Sequence, residues 1–589
     1  MKNPASALTE TLRWHCAPVL PVIRQNLFIL LLVAFAIWLV IVPLLQLLVA
    51  SLQGGTLIKP TGWTFKNYIE AYSSKATYAA VWNTLIYSLT GTALSVTIAV
   101  LFAWFTERTD LPYRNVIWSL ILLPIAMPGM LFAMGWTFLL EPSIGLINVY
   151  TRHLLSFFGL ELNRGPFNIH TLTGLIFLDG IRGVTTIFLI IAGAFRRMDP
   201  SLEESAFASG ASGFRVMRRI TAPLLMPAIF AAGMYSLLVA LDSFELPLIV
   251  GLPGRVYVFT TLIYFSAQGL FPPNYGLASA FGMTFLLFGL ILVVINRFIV
   301  KDPERYSIVT GKGYRPRQVS LGRWRYFAFS LVSLYVFLTV IAPLAVLMWV
   351  SLLPFYQAPS AEVWQLASLK NYFTVLNQDL VVGAVVNTLV VGVATATLVL
   401  LLAFAISWAV VRLKLPGTAI LDGIAFLPQV VPSIIIALAM IILYARPPLS
   451  VLPIYGTVWI IVLGLTTHYL AFGTRAMNGA VVQVSKELEE AARASGAGRM
   501  RMLFRVTLPL ILPAFVSAWI WVVAHAMRAF SIPLILASSD TELISVRLWT
   551  MWERGDASKA AALGVMLIAV LGIVTALSRW LVVRMTPQD

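Results

Sequence analysis

The sequence has little charge and a single cysteine. Charged residues make up 11% of its 589 residues, whereas soluble domains carry about a quarter, so the composition excludes an ordinary soluble protein. The one cysteine, Cys16, excludes an internal disulfide and any metal or iron–sulfur site built from cysteines. The five histidines, at positions 15, 153, 170, 468 and 525, show no metal-ligand spacing. The sequence therefore predicts no metal site and no cofactor.

Long apolar runs take the place of charge. Apolar residues make up 59% of the chain, and a run of about 20 is enough to cross a membrane as a helix. The runs predict twelve membrane spans, near residues 27–50, 84–106, 115–139, 171–195, 223–250, 275–299, 326–352, 386–411, 418–444, 455–479, 508–537 and 559–583. The first run lacks a small-residue cleavage site, so we expect a span there rather than a cleaved signal peptide. The expected fold is an all-α polytopic protein in a lipid bilayer.

The net charge of +16 is compatible with a nucleic acid partner, but the positions of the basic residues argue against one. They lie mostly at the ends of apolar runs, and no basic run is interleaved with aromatic residues. This arrangement is typical of the cytoplasmic side of a membrane protein. We expect no nucleic acid partner, and we expect a multi-pass protein of the inner membrane with both termini in the cytoplasm. The expected parts are a cytoplasmic segment at 1–26, membrane domains at 27–300 and 326–585, and a basic cytoplasmic linker at 301–325.

The two expected domains are copies of one another. Several residues recur 304 positions later, and others recur 286 positions later. The first set includes Asn67 and Asn371, Asn83 and Asn387, Arg108 and Arg412, and Pro128 and Pro432; the second includes Arg219 and Arg505, and Phe244 and Phe530. With six spans per copy the repeat is parallel, about an axis along the membrane normal. Two similar halves around one axis predict a single pathway between them.

Two cytoplasmic loops carry the most informative motif. Each contains a short polar helix pattern that a glycine ends, followed by basic residues and a proline-flanked start of the next span. The pattern Glu-x-Ala-x3-Gly-x12-Pro occurs twice, and its members are Glu204, Ala206, Gly210 and Pro223 in the first copy and Glu490, Ala492, Gly496 and Pro509 in the second. A single such loop is compatible with an ordinary amphipathic connector, but two copies in register favour a shared function.

This duplicated pattern resembles the EAA loop in the permease subunits of binding-protein-dependent, type I ABC importers. Asn-Thr-Leu at 83–85 and at 387–389 extends the resemblance to nearly the whole chain, and Ser205 is a departure because the usual motif has alanine there. The resemblance implies two fused permease domains whose loops dock on two copies of a separate ATPase, and an extracytoplasmic solute-binding protein. The sequence contains no phosphate-binding loop, since Gly311-Lys312 is followed by Gly313, so we expect ATP hydrolysis on the partner and no enzyme activity in this chain.

The fused form most resembles ferric-iron permeases, which makes ferric iron the expected solute. Permeases for 2-aminoethylphosphonate, thiamine, sulfate and polyamines share the same loops and stay as alternatives. An ion-coupled secondary transporter is the alternative from another class, and it would not need duplicated docking loops. A membrane enzyme would need a clustered set of catalytic groups, which the sequence does not supply.

A few ionisable residues fall inside the predicted spans, where they are costly and usually face a cavity or one another. Asp179 and Arg182 lie three residues apart, which predicts that they neutralise each other on one helix face. The pathway candidates are Asp242, Glu245, His525 and Arg528. Arg528 stands at the position equivalent to Asp242, so the two would meet if their spans line the axis, as they do in the family. The alternative is that each finds a separate partner.

Overall fold

The computed structural model describes residues 19–57, 59–199, 201–269, 271–299, 319–413 and 417–585. Within these ranges the regular structure is almost entirely helical, and the strands are Gln53–Gly55 and Pro60–Trp63, which pair antiparallel. The expectations for Cys16, for most of the N-terminal segment and for most of the basic linker concern residues outside these ranges.

The apolar runs of the described residues are mostly helical. The spans of the first half are Ile29–Ser51, Lys75–Arg108, Arg114–Ala126 with Gly129–Leu140, Leu172–Arg197, Gly213–Asp242 and Tyr275–Ile299. Those of the second half are Trp324–Leu352, Asp379–Leu413, Thr418–Gln429 with Ser433–Ala445, Leu503–Met527 and Ala557–Met585. The helix Val458–Gln483 stands at the position of the predicted tenth span. We number them as the first to the twelfth span. Shorter helices connect them, chiefly Lys66–Ser73, Leu146–Ser156, Ser201–Ala208, Lys370–Leu376, Lys486–Ala494, Ser531–Leu536 and Ile544–Glu553.

Two spans that the sequence predicted as continuous are broken. The third and ninth spans bend by 96° and 109° at their breaks. A proline at each break, Pro128 or Pro432, disfavours helical backbone in the residue before it, and Met127 is accordingly extended, with a ψ of 119°. Each break starts a new helix, at Gly129 or Ser433, whose first N–H groups have no partner within the helix.

The fifth and eleventh spans end earlier than predicted. The sequence predicted helices near 223–250 and 508–537, but the structure ends them at Asp242 and Met527. The chain continues into a bent pair, Pro247–Gly254 with Phe259–Gly269, after the fifth span, and into the short helix Ser531–Leu536 after the eleventh. These early ends place Asp242 and Arg528 at helix C-termini instead of mid-helix positions.

The two halves interlock through their broken spans. The first span packs against Ser433–Ala445 of the second half, and the seventh span packs against Gly129–Leu140 of the first half. The second contact is close because Gly135 faces Pro343: a Cβ at Gly135 would lie 2.7 Å from the Pro343 Cβ. The core of each half therefore includes a helix from the other.

Candidate functional site between the two halves

The two motif loops fold as short exposed helices. We name Ser201–Ala208 the first loop helix and Lys486–Ala494 the second loop helix. Gly210 and Gly496 follow them with φ of 80° and 81°, a left-handed conformation that glycine adopts without a Cβ penalty. The amide N–H after each glycine donates to the carbonyl oxygen of Ala206 or Ala492, in both cases at 3.0 Å. The predicted glycine-ended helices are confirmed.

The outward faces of the loop helices are open. Leu202 and Leu488, which are equivalent in the repeat, are each 49% exposed, and Glu490 is exposed while Glu204 is half-buried. At the start of the second loop helix, the Ser485 hydroxyl donates to Glu487 at 2.6 Å and lowers the pKa of that carboxyl. The docking role of Glu204, Ala206, Gly210, Glu490, Ala492 and Gly496 stays a prediction.

A cavity of about 190 Å³ lies where the halves meet. Its polar lining comes from both halves: Asp179, Arg182, Asp242, Ser243, Glu245, Ser433, His468, Tyr469 and Ser531. Phe244 and Phe530 also line it, and these repeat-equivalent rings stack with centroids 6.0 Å apart. The stack indicates that the cavity lies on the axis between the halves.

Asp242 reaches across this axis to the broken ninth span. Its Oδ1 accepts hydrogen bonds from the backbone N–H of Ser433 at 2.7 Å and from the Ser433 hydroxyl at 2.8 Å. Ser433 begins a helix, and a carboxylate is favoured at a helix N-terminus by the unpaired N–H groups and the helix dipole. The first half thus supplies the anionic partner for a helix start of the second.

Arg528 reaches across in the opposite direction. Its Nη1 donates to the backbone carbonyl of Ile125, just before the break in the third span. Its Nη2 donates to His525 Nε2 at 2.6 Å, while His525 Nδ1 donates to the carbonyl of Trp521 at 2.8 Å. Among the ion pairs of the described residues, none joins Asp242 to Arg528. The alternative of separate partners is therefore the one observed.

The predicted local pair of Asp179 and Arg182 is replaced by contacts with other elements. The Tyr87 hydroxyl, from the second span, donates to Asp179 Oδ1 at 2.9 Å. Arg182 Nη2 instead lies 3.8 Å from Glu245 Oε2. Asp179 and Arg182 remain within electrostatic range of one another, but the second span and the segment after the fifth span bring nearer partners to both side chains. Both residues line the cavity.

Acidic side chains outnumber arginines in the lining of the cavity. Three carboxylates, Asp179, Asp242 and Glu245, line it against the one guanidinium of Arg182. The pathway candidates His525 and Arg528 are not part of the lining in the described residues. Within the same residues, no group of three histidine, cysteine or acidic side chains has the geometry to hold a metal ion.

The sequence pattern of the binding-protein-dependent transport system inner membrane component family matches residues 95–305 and 401–587. The two matches fall one on each half and together cover more than half of the chain. The chain belongs to this family. It is the permease subunit of an ABC importer, a multi-pass protein of the inner membrane, and the predicted fold class is confirmed. Membership implies an ATPase and a solute-binding protein as partners, and it leaves no place for the secondary transporter alternative.

Several relatives of this permease match most of its length. The ferric transport system permease protein FbpB of Actinobacillus pleuropneumoniae is 25% identical over 508 residues, which cover 83% of this chain and 69% of that protein. The probable ABC transporter permease protein y4fN of Sinorhizobium fredii is 27% identical, covering 81% of this chain and 82% of that protein. A solved bacterial alginate ABC transporter, in complex with its alginate pentasaccharide-bound periplasmic protein, is 19% identical and covers 45% of this chain and 96% of that chain, with a TM-score of 0.37.

Sequence reasoning missed several residues of the permease site. Ser433 follows Pro432, which is a signal for a helix start, so its role as a helix N-terminus was open to prediction. His468 and Tyr469 carry no such signal, because only the packing of the tenth span turns them to the cavity. Glu203 and its repeat equivalent Glu489 are buried, although each directly precedes a motif glutamate that is half-buried, as Glu204 is, or exposed, as Glu490 is.

Proposed function

We propose that this permease carries ferric iron through the cavity between its halves. The observation that carries the proposal is the lining of the cavity, where three carboxylates face one guanidinium. An acidic cleft concentrates cations and repels oxyanions, and hard cations prefer oxygen ligands. Relatives named as ferric transport permeases, at 25% identity over most of the chain, support the same solute class.

The proposed coupling runs through the loop helices. In this proposal each loop helix docks on one of two copies of a separate ATPase, while a binding protein delivers the solute at the outer face. The duplicated motif, the exposed Leu202 and Leu488, and the missing phosphate-binding loop support this arrangement. ATP hydrolysis then occurs on the partner, and this chain supplies the pathway.

Uptake by the complete complex tests the solute. The permease, its ATPase and its binding protein are reconstituted in proteoliposomes, and uptake of radiolabelled ferric iron is compared with that of 2-aminoethylphosphonate, sulfate, thiamine and a polyamine. We expect ATP-dependent uptake of iron alone. Uptake of one of the other solutes without iron would refute the ferric assignment and leave the importer class intact.

Charge-neutral variants test whether the cavity is the pathway. Asp242→Asn combined with Glu245→Gln removes two of the three carboxylates with little change of shape. We expect iron uptake to fall about tenfold, the effect of roughly 1.4 kcal/mol. Asp422→Asn is the matched control, because Asp422 pairs with Arg475 at 3.2 Å away from the cavity. Equal uptake in the double variant and the control would exclude the cavity as the iron pathway.

The proposed orientation places the loop helices in the cytoplasm and the long connection around residues 141–170 outside. Asn163 and Gly498 are both exposed, so cysteines at these positions in a Cys16→Ser background report the two sides. We expect an impermeant thiol reagent, added to intact cells, to modify Asn163→Cys and to spare Gly498→Cys. The reverse labelling would show that the topology is opposite to the proposed one, with the loop helices on the side of the membrane where a cytoplasmic ATPase cannot bind them.

A further inference from the structure

Each loop helix carries one glutamate that is hidden from solvent. The side chains of Glu203 and Glu489 are 8% and 3% exposed, and each forms an ion pair with a buried arginine, at 2.9 Å for Arg108 and 3.0 Å for Arg412. The glutamates are 286 residues apart and the arginines 304 apart, the two offsets of the repeat. The same buried pair is therefore built twice.

In the first half, Glu203 connects the loop helix to three spans. Its Oε2 accepts from Arg108 Nε at the end of the second span, and its Oε1 accepts from the Thr221 hydroxyl, within the fifth span, at 2.6 Å. Arg108 Nη2 in turn donates to the carbonyl of Phe195, near the end of the fourth span, at 3.0 Å. One carboxylate and one guanidinium thus hold three span ends together under the loop helix.

The second half repeats these contacts with other residues of the same kind. Glu489 Oε1 accepts from Arg412 Nε at 3.0 Å and from the Thr507 hydroxyl at 3.2 Å. Arg412 Nη2 donates to the carbonyls of Val481 and Val484, where the tenth span ends, at 2.9 and 2.7 Å. The eighth, tenth and eleventh spans are therefore joined in the same way as the second, fourth and fifth.

Stability alone does not explain two buried ion pairs. Desolvation offsets much of the attraction of a buried pair, and well-packed apolar residues of similar volume often serve as well or better. What the pair adds is directional contact, since the planar guanidinium fixes carboxylate and carbonyl oxygens in set positions. Such a contact holds the loop helix in a fixed position relative to the span ends.

We propose that Glu203 and Glu489 are positioning residues, which together with Arg108 and Arg412 pass movement of each loop helix to three spans at once. This inference rests on the proposed docking of the loop helices. In this proposal the motif residues face the partner, whereas the buried glutamates act inside the permease. Removing their charge should leave docking in place and weaken the link between ATP hydrolysis and solute movement.

The test measures solute moved per ATP hydrolysed in proteoliposomes that contain the ATPase and iron-loaded binding protein. Glu203→Gln with Glu489→Gln keeps the shape and removes the charge. We expect normal assembly with the ATPase and a ratio lowered about tenfold, as expected for the loss of a charge-assisted hydrogen bond. Glu107→Gln is the matched control, because Glu107 pairs with the exposed Arg196 at 2.8 Å and does not contact a loop helix.

An unchanged ratio in a normally assembled double variant would overturn the inference. If that variant does not assemble, the double variant Thr221→Val with Thr507→Val tests the inference, because it removes only the hydroxyl contacts to the two glutamates. A lowered ratio of solute moved per ATP in this variant supports the inference, and an unchanged ratio overturns it. Failure of the wild-type complex to hydrolyse ATP or move iron would instead count against the proposed function. A purely structural role would lower the amount of complex and leave the ratio as in the control.

Discussion

The contact between Asp242 and Ser433 offers a test of how the halves hold together. Ser433→Ala removes the hydroxyl that donates to Asp242 at 2.8 Å and leaves the backbone N–H donor at 2.7 Å in place. A hydrogen bond to a charged group contributes about 1.5–3 kcal/mol, so we expect the free energy of unfolding to fall by about that amount. Asp242→Asn should cost a similar amount, because it weakens both bonds and removes the charge at the helix N-terminus.

The assay is a double-mutant cycle on the purified permease, with unfolding followed by detergent titration. If the two side chains interact, the double variant loses less than the sum of the single losses, by about 1 kcal/mol or more. Ser517→Ala is the control, since the Ser517 hydroxyl donates only to the Pro513 carbonyl of its own helix, at 2.7 Å. Additive losses, or a Ser433→Ala effect no larger than that of Ser517→Ala, would refute the contact between the halves.

Two further predictions concern glycines. Gly135→Ala should lower the amount of folded permease, at a cost of about 1–3 kcal/mol for overpacking, because the new Cβ meets Pro343 at 2.7 Å. The control Gly193→Ala should leave the amount of folded permease unchanged, because nothing lies within 4 Å of a Cβ there. Equal yields of the two variants would contradict the close packing at Gly135. Gly496→Val should uncouple ATP hydrolysis from uptake, because φ is 81° there and a β-branched residue disfavours that conformation. Gly498→Val is the control. Unchanged coupling in both variants would show that the second loop helix takes no part in coupling.

The membrane spans could be predicted from the sequence, because the lipid bilayer restricts the structures that can cross it. A helix that crosses the bilayer satisfies its own backbone hydrogen bonds, so long apolar runs mark the spans directly. The parallel repeat followed from constant offsets, and the ends of the loop helices followed from Gly210 and Gly496. These features depend on residues close together in sequence.

The features that sequence reasoning missed depend on contacts between distant residues. Pro128 and Pro432 signal a break, but a proline is compatible with a slight kink as well as with the bends of 96° and 109° observed. Asp242 meets Ser433 191 residues further along the chain, and Arg182 lies nearest to Glu245 and not to Asp179. The packing of the spans determines which side chains come into contact, and no local sequence pattern encodes that packing.

The most direct test of the central claim is thiol modification of the cavity during transport. Ser531 lines the cavity, and Ser531→Cys in a Cys16→Ser background places the only cysteine there. In proteoliposomes that import iron, we predict that a small cationic thiol reagent modifies this cysteine and stops uptake, and that an anionic reagent of equal size reacts more slowly because of the surrounding carboxylates. A cysteine that stays unmodified while iron uptake proceeds, or that reacts faster with the anionic reagent, would contradict a cation pathway between the halves.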